Sequence, residues 1–147
     1  VMSVLRLAIP SPLRRLFDYL PAEAGPPALP GCRVVVPFGR RSMVGVVVET
    51  ADFSDVPADR LQRVAMVLDD GQPLLDPRLL SLLGWCWRYY KRAPGEVVAS
   101  ALPPILRGER GRLPSPPVQY RITAAGAARR LHDGAVDFGV GSFAIGA

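Results

Sequence analysis

Two β-branched runs, residues 33–36 and 43–49, lie only six residues apart, and no other feature restricts the fold of this chain as much. Branching at Cβ suits a pleated strand better than a helix. The connection Pro37-Phe38-Gly39-Arg40-Arg41-Ser42 carries a glycine free to take positive φ, so the runs are expected to pair as an antiparallel hairpin. Upstream, residues 4–9 alternate loosely and stop at Pro10, and residues 16–20 stop at Pro21; both read as strands. Residues 61–68 read as the last strand of the set.

The period then changes. Asp76-Pro77 is a helix start, with Asp as the cap and Pro at the first helical position. Leu79, Leu80, Leu82, Leu83, Cys86, Trp87 and Tyr90 recur at helical spacing through Arg92. Pro94-Gly95 interrupts, and residues 96–102 predict a second, short helix. Residues 107–117 are rich in Gly, Arg and Pro. Beyond them, residues 118–122 suggest a strand, and Thr123 suggests the cap of a helix through Leu131. The expected class is α+β: a small β-rich barrel or curled sheet with a C-terminal helical hairpin. The expected division is a domain over 1–105, a linker over 106–117 and an incomplete module over 118–147.

The net charge is +5, and it is unevenly placed. Residues 1–41 hold six arginines against Asp18 and Glu23, whereas residues 42–105 hold six basic side chains against eight acids. A basic N-terminal third suits a phosphate-facing surface. Cys32, Cys86 and His132 stand far apart, so no metal site and no cofactor are expected. No Gly-x-x-x-x-Gly-Lys-Ser/Thr loop, Gly-x-Ser-x-Gly elbow or His-Glu-x-x-His run occurs, so no catalytic residue is assigned and an enzyme is the least expected class. No apolar stretch is long enough for a membrane helix, and the N-terminus lacks a signal-peptide core. A cytoplasmic protein without a membrane partner is expected.

Three features are candidates for function. In Leu16-Phe17-Asp18-Tyr19-Leu20, strand alternation puts Asp18 on one face and both aromatics on the other. Asp18 is either an ordinary edge residue or a hydrogen-bond acceptor at a pocket rim. In the hairpin, Gly39 permits close backbone approach and Arg40 and Arg41 reach phosphates, unless this is simply a charged tip. Trp85, Trp87, Tyr89 and Tyr90 share a helix with leucines and are expected to pack in the core rather than stack on bases. Asp69-Asp70 before Gly71 is expected to be a solvated turn.

In order, the chain presents Phe17-Asp18-Tyr19-Leu20-Pro21, then Gly31-Cys32-Arg33-Val34-Val35-Val36-Pro37-Phe38-Gly39-Arg40, then Gly45-Val46-Val47-Val48. Val67-Leu68-Asp69, Trp87-Arg88-Tyr89-Tyr90 and Pro94-Gly95-Glu96-Val97 follow, ending in Ala101-Leu102-Pro103. Over residues 3–105 this ordered set resembles the 3′ DNA-binding domain of the primosomal protein N′ (PriA) family, the replication-restart helicases. The resemblance implies a non-catalytic module that holds the 3′-hydroxyl end of a nascent leading strand at a stalled fork. It implies forked DNA as the partner, with primosome proteins as further partners. Asp18 matches the family residue that receives the hydroxyl, Phe17 and Tyr19 match residues shaping the pocket, and Gly39 and Arg40 match the hairpin that meets the terminal nucleotide. Where the family often has a lysine, this chain has Gln62 followed by Arg63, so either Arg63 takes over that phosphate contact or the contact is weaker; Gln62, Arg63 and, from the hairpin, Arg41 are the candidate phosphate contacts. Residues 118–131 resemble the opening of a winged-helix domain, and the chain is expected to be truncated before the helicase. The alternatives are a protein-interaction scaffold contacting primosome partners and an inert fragment.

Overall fold

The computed structural model describes residues 3–112, 120–122 and 143–145. Five strands form one antiparallel sheet: β1 (Val4–Ala8), β2 (Phe17–Tyr19), β3 (Arg33–Phe38), β4 (Arg41–Ala51) and β5 (Met66–Val67), in the order β2-β1-β4-β3-β5. Two helices follow, α1 (Pro77–Tyr89) and α2 (Pro94–Ala101). The class is α+β, and the sheet is curled rather than closed into a barrel.

The β3–β4 hairpin is tighter than the sequence suggests. Pairing runs to Phe38 opposite Arg41, which leaves Gly39-Arg40 as a two-residue turn. Gly39 takes φ 62 and Arg40 does not share the positive φ, the arrangement of a hairpin turn with glycine first. The expected strand over 61–68 is split. Met66–Val67 pairs with β3, while the segment before it docks on Leu20 through a parallel bridge to Arg63. There the Leu20 N–H donates to the Gln62 carbonyl at 2.8 Å and the Val64 N–H to the Leu20 carbonyl at 2.9 Å. This contact draws the β2 edge towards the segment leading into β5, and so curls the sheet.

Both faces of the sheet centre are covered, which is why its strands read as near-continuous apolar runs. The inner face gathers Leu5, Leu7, Phe17, Tyr19, Val34, Val36 and Val47. On the outer face, Ala8 and Val46 pack with Leu80, Leu83, Val98 and Leu102 from the helices. α2 comes so close to the end of β1 that a Cβ on Gly95 would lie 1.6 Å from the Ile9 carbonyl oxygen. The Asp76 side chain caps α1 by accepting from the Leu79 N–H at 2.9 Å. At its other end Lys91 takes φ 53, the left-handed position at which glycine is usual.

Two expectations are corrected. Asp69-Asp70 is a tight turn with Asp70 exposed, as expected, but Asp69 is not solvated. Asp69 chelates the guanidinium of Arg33, which is 1% exposed, with both of its nitrogen–oxygen distances at 2.7 Å. Arg33 also donates to the carbonyls of Leu106 at 2.6 Å, Gly111 at 2.7 Å and, more weakly, Gly108 at 3.4 Å. The aromatic residues of α1 are not all core. Trp87 packs against the sheet, but Trp85 is 48%, Tyr89 65% and Tyr90 61% exposed, with the Trp85 and Tyr89 rings stacked at 4.9 Å. Leu80 and Leu83 of α1, with Leu79 and Trp87 packed alongside, join the cluster that α2 and the outer face of the sheet build together.

The chain divides into two units, Val1–Leu113 and Pro114–Ala147. In the second, β6 (Tyr120–Ile122) pairs antiparallel with β7 (Phe143–Ile145). The helix expected over residues 123–131 lies outside the described residues. No helix among the described residues is long and apolar enough to cross a membrane.

Cys32 is fully buried and its thiol donates to the Gly71 carbonyl at 3.2 Å. Burial pushes this thiol up from its ordinary value. Thiolate is the reactive form, so Cys32 is expected to resist a thiol reagent in the native protein at pH 8. The partly exposed Cys86 should react first, giving one fast and one slow thiol, and the slow phase should vanish in denaturant. The neutral thiol's contribution to stability is fully present below the unfolded-state value and is lost as pH rises towards the folded-state one.

Candidate nucleic-acid interface

β2 is an edge strand with two different faces. Phe17 and Tyr19 point into the core and grip the β3–β4 hairpin from below. The Tyr19 hydroxyl donates to the Pro37 carbonyl at 2.7 Å, and Phe17 meets Phe38 edge-to-face at 5.1 Å. Arg15 lies over the Phe17 ring at 5.0 Å. Burial pushes the Tyr19 phenol up from its ordinary value, so it remains a donor well above neutral pH. These two aromatics therefore fix where the Gly39-Arg40 turn sits relative to β2.

Asp18 takes the opposite, outer face, opposite Arg6 on β1, which in turn lies opposite Glu49 on β4. Plain alternation from the buried Val47 would turn Glu49 inward. A bulge prevents this: Leu7 pairs with Val47 but Arg6 pairs with Glu49, so Val48 is unopposed and Glu49 faces outward. The result is a row of three charges across the sheet. The Arg6 Nη1 donates to Glu49 Oε1 at 2.8 Å, and its Nε lies 3.8 Å from Asp18 Oδ1. The hydrogen bond to Glu49, with the charges of Glu49, Asp18 and Asp55, pushes Arg6 above its ordinary value against the effect of burial. Asp18 Oδ2 accepts the Ser54 hydroxyl at 2.5 Å. The Asp18 side chain keeps 15% exposure at the rim of the sheet.

At Gly39 a Cβ would meet nothing within 4 Å, so the glycine serves the turn's backbone and leaves an open face above it. Arg40 and Arg41 are exposed and make no salt bridge among the described residues. Gln62 contributes its carbonyl to the Leu20 contact, with its side chain exposed. Arg63 is held at the exit of β2, donating to the Pro21 carbonyl at 2.7 Å with Glu23 at 3.5 Å. β2 and the connections that grip it thus gather the residues singled out in the sequence, apart from Gly39, Arg40 and Arg41, whose hairpin is held through Phe17 and Tyr19. Sequence reasoning missed Arg6, Glu49 and Ser54. The charged residue at the centre of the apolar β1 was the available signal for Arg6.

The family described as the 3′ DNA-binding domain (3′BD) of PriA matches residues 6–103, a span that contains every one of these residues. The chain belongs to the PriA 3′ DNA-binding-domain family. This family is a DNA-binding module rather than a catalytic one. The domain is 37% identical to the replication restart protein PriA of Haemophilus influenzae over 125 residues, 85% of this chain and 17% of that protein. It is 32% identical over 107 residues to the protein of the same name in Treponema pallidum, covering 67% of this chain and 16% of the relative. With that of Buchnera aphidicola subsp. Schizaphis graminum the identity is 28% over 106 residues, 72% of this chain and 14% of the relative. The chain thus spans less than a fifth of the length of these curated relatives.

Proposed function

We propose that this domain binds the 3′-hydroxyl end of a nascent leading strand at a stalled replication fork, as the end-reading module of a replication-restart protein. The observation that carries the proposal is the Asp18 carboxylate. It stands at an open sheet edge with one oxygen satisfied by Ser54 and the other, Oδ1, without a hydrogen bond among the described residues. A carboxylate only accepts, so it suits a hydroxyl and repels a phosphate. Phe17 and Tyr19 hold the pocket's shape. Gly39 offers the terminal nucleotide an open backbone, and Arg40 meets the nearby backbone phosphate. Arg41, and more weakly Gln62 and Arg63, extend the phosphate track. In this reading residues 1–105 carry the binding, 106–117 connect, and 118–147 open a winged-helix-like module. Strand separation and ATP hydrolysis are not assigned to these residues.

The test is fluorescence anisotropy on a fork ending in 3′-hydroxyl beside the same fork ending in 3′-phosphate, at two salt concentrations. The wild type should prefer the hydroxyl end by about tenfold or more, the scale of one charge-assisted hydrogen bond. Affinity for both ends should fall with salt. Asp18→Asn should abolish most of the preference while keeping the salt dependence. Equal binding to both ends by the wild type would overturn the assignment.

A second reading, an interaction scaffold for primosome proteins, is favoured by the exposed, mutually packed Trp85, Tyr89 and Tyr90, with Arg88, Lys91 and Arg92 exposed next to them in sequence. It expects weak salt dependence and no end preference in the same titration.

A further inference from the structure

We propose that the segment following β4, residues 52–56, is a wall of the Asp18 site: Ser54 positions the carboxylate and Phe53 offers the terminal nucleotide a stacking face. This rests on the reading of Asp18 as the residue that meets the 3′ end.

β4 runs to Ala51, paired with Val4, and the segment after it returns to the outer face, where Phe53 meets Arg6 and Ser54 meets Asp18. Five side chains meet there: Arg6, Asp18, Glu49, Phe53 and Ser54. The Ser54 Oγ accepts the Val56 N–H at 3.0 Å, so its own proton is directed to Asp18 Oδ2 at 2.5 Å. This fixes the rotation of the carboxylate and commits one oxygen, leaving Oδ1 as the acceptor. Oδ1 faces Arg6, whose Nη1 is held by Glu49. Arg6 in turn lies over the Phe53 ring at 5.6 Å. Phe53 belongs to no core cluster and is 64% exposed, an aromatic face held in place beside the carboxylate rather than packed beneath it. Ring faces of this kind stack on any base, so the contact adds affinity without base choice.

The charge of this wall also bears on the choice of end. Arg6 contacts Glu49 and Asp18, and the charge of Asp55 also acts on it, so among the described residues acidic groups outnumber the cation here. A neutral hydroxyl enters such a site without penalty, whereas a terminal phosphate monoester meets the whole cluster. The selection against phosphate is therefore shared by the β4 end and the loop, not confined to Asp18.

Ser54→Ala and Phe53→Ala in the full chain separate the two roles, with Asp18→Asn alongside and a melting curve to verify folding. Ser54→Ala should cut the hydroxyl-to-phosphate ratio severalfold, and Ser54→Thr, which keeps the donor, should restore it. Phe53→Ala should weaken both ends alike, by about tenfold, with Phe53→Tyr retaining affinity. A merely structural role would lower the melting temperature without moving the ratio. If Asp18→Asn removes the preference while folded Ser54→Ala and Phe53→Ala proteins bind as the wild type does, the wall is refuted and the Asp18 reading stands. If Asp18→Asn leaves the preference intact, the reading itself fails.

Discussion

Arg33→Met is expected to destabilise the first unit by about 3–5 kcal/mol, the scale for removing one partner of a buried ion pair. Every N–H of the Arg33 guanidinium is used: Nε and one Nη on Asp69, and the remaining donors on the carbonyls of Leu106, Gly108 and Gly111. Methionine leaves Asp69 as an unpaired carboxylate, with only 12% of its side chain exposed, and strips the carbonyls of their donor. Lysine keeps the charge but replaces a planar fork with a point donor, so Arg33→Lys should recover only part of the loss. Urea unfolding measures this directly. Trypsin offers a second readout, because Arg107 and Arg110 lie in the segment that Arg33 ties down and should be cut faster in the variant. Stability within 1 kcal/mol of the parent would mean that water replaces these bonds without cost.

Gly95→Ala should cost about 3 kcal/mol, the upper end of ordinary overpacking. The added Cβ would sit 1.6 Å from the Ile9 carbonyl oxygen and 2.2 Å from its carbon. Both are backbone atoms, so no side-chain rotation relieves the clash. Either α2 lifts from the end of β1, exposing Val98 and Leu102, or the end of β1 shifts towards the turn at Pro10. Gly39→Ala is the control. Its Cβ has open space, so only the positive φ is penalised, at about 1 kcal/mol. A urea midpoint for Gly95→Ala close to that of Gly39→Ala would show that α2 packs less tightly on β1 than the geometry indicates.

Much of the fold is legible without the structure. The β-branched runs became β3 and β4, Pro10 and Pro21 lie just past β1 and β2, and Asp76-Pro77 opens α1 with its cap bond. These signals are local: each depends on Cβ branching, on the fixed φ of proline, or on a side chain reaching a backbone N–H three residues away. The segment at 61–68 shows the limit. Its composition is that of a strand, but its two halves found different partners, Leu20 and β3.

The candidate site divides in the same way. Alternation about Asp18 is a local property of an extended chain, and it correctly separates that carboxylate from the buried Phe17 and Tyr19. Glu49 faces Arg6 only because a bulge resets the alternation of β4, and nothing in a valine run announces where a bulge falls. For α1 the sequence offers a broad apolar face, opposed only by the narrow polar side of Arg78, Ser81 and Arg88. Which stripe is buried depends on the surface that the helix meets, so Trp85, Tyr89 and Tyr90 remained exposed against expectation.

The sequence by itself determined the kinds of elements, their order and the ordered signature by which the family is known, because each is written in residues that are neighbours along the chain. The tertiary structure alone decided that Arg33 chelates Asp69 and that Ser54 holds Asp18, both pairs 36 residues apart. At that separation no periodicity survives, and a hydrogen bond exists only where the curl of the sheet returns the two side chains to one place.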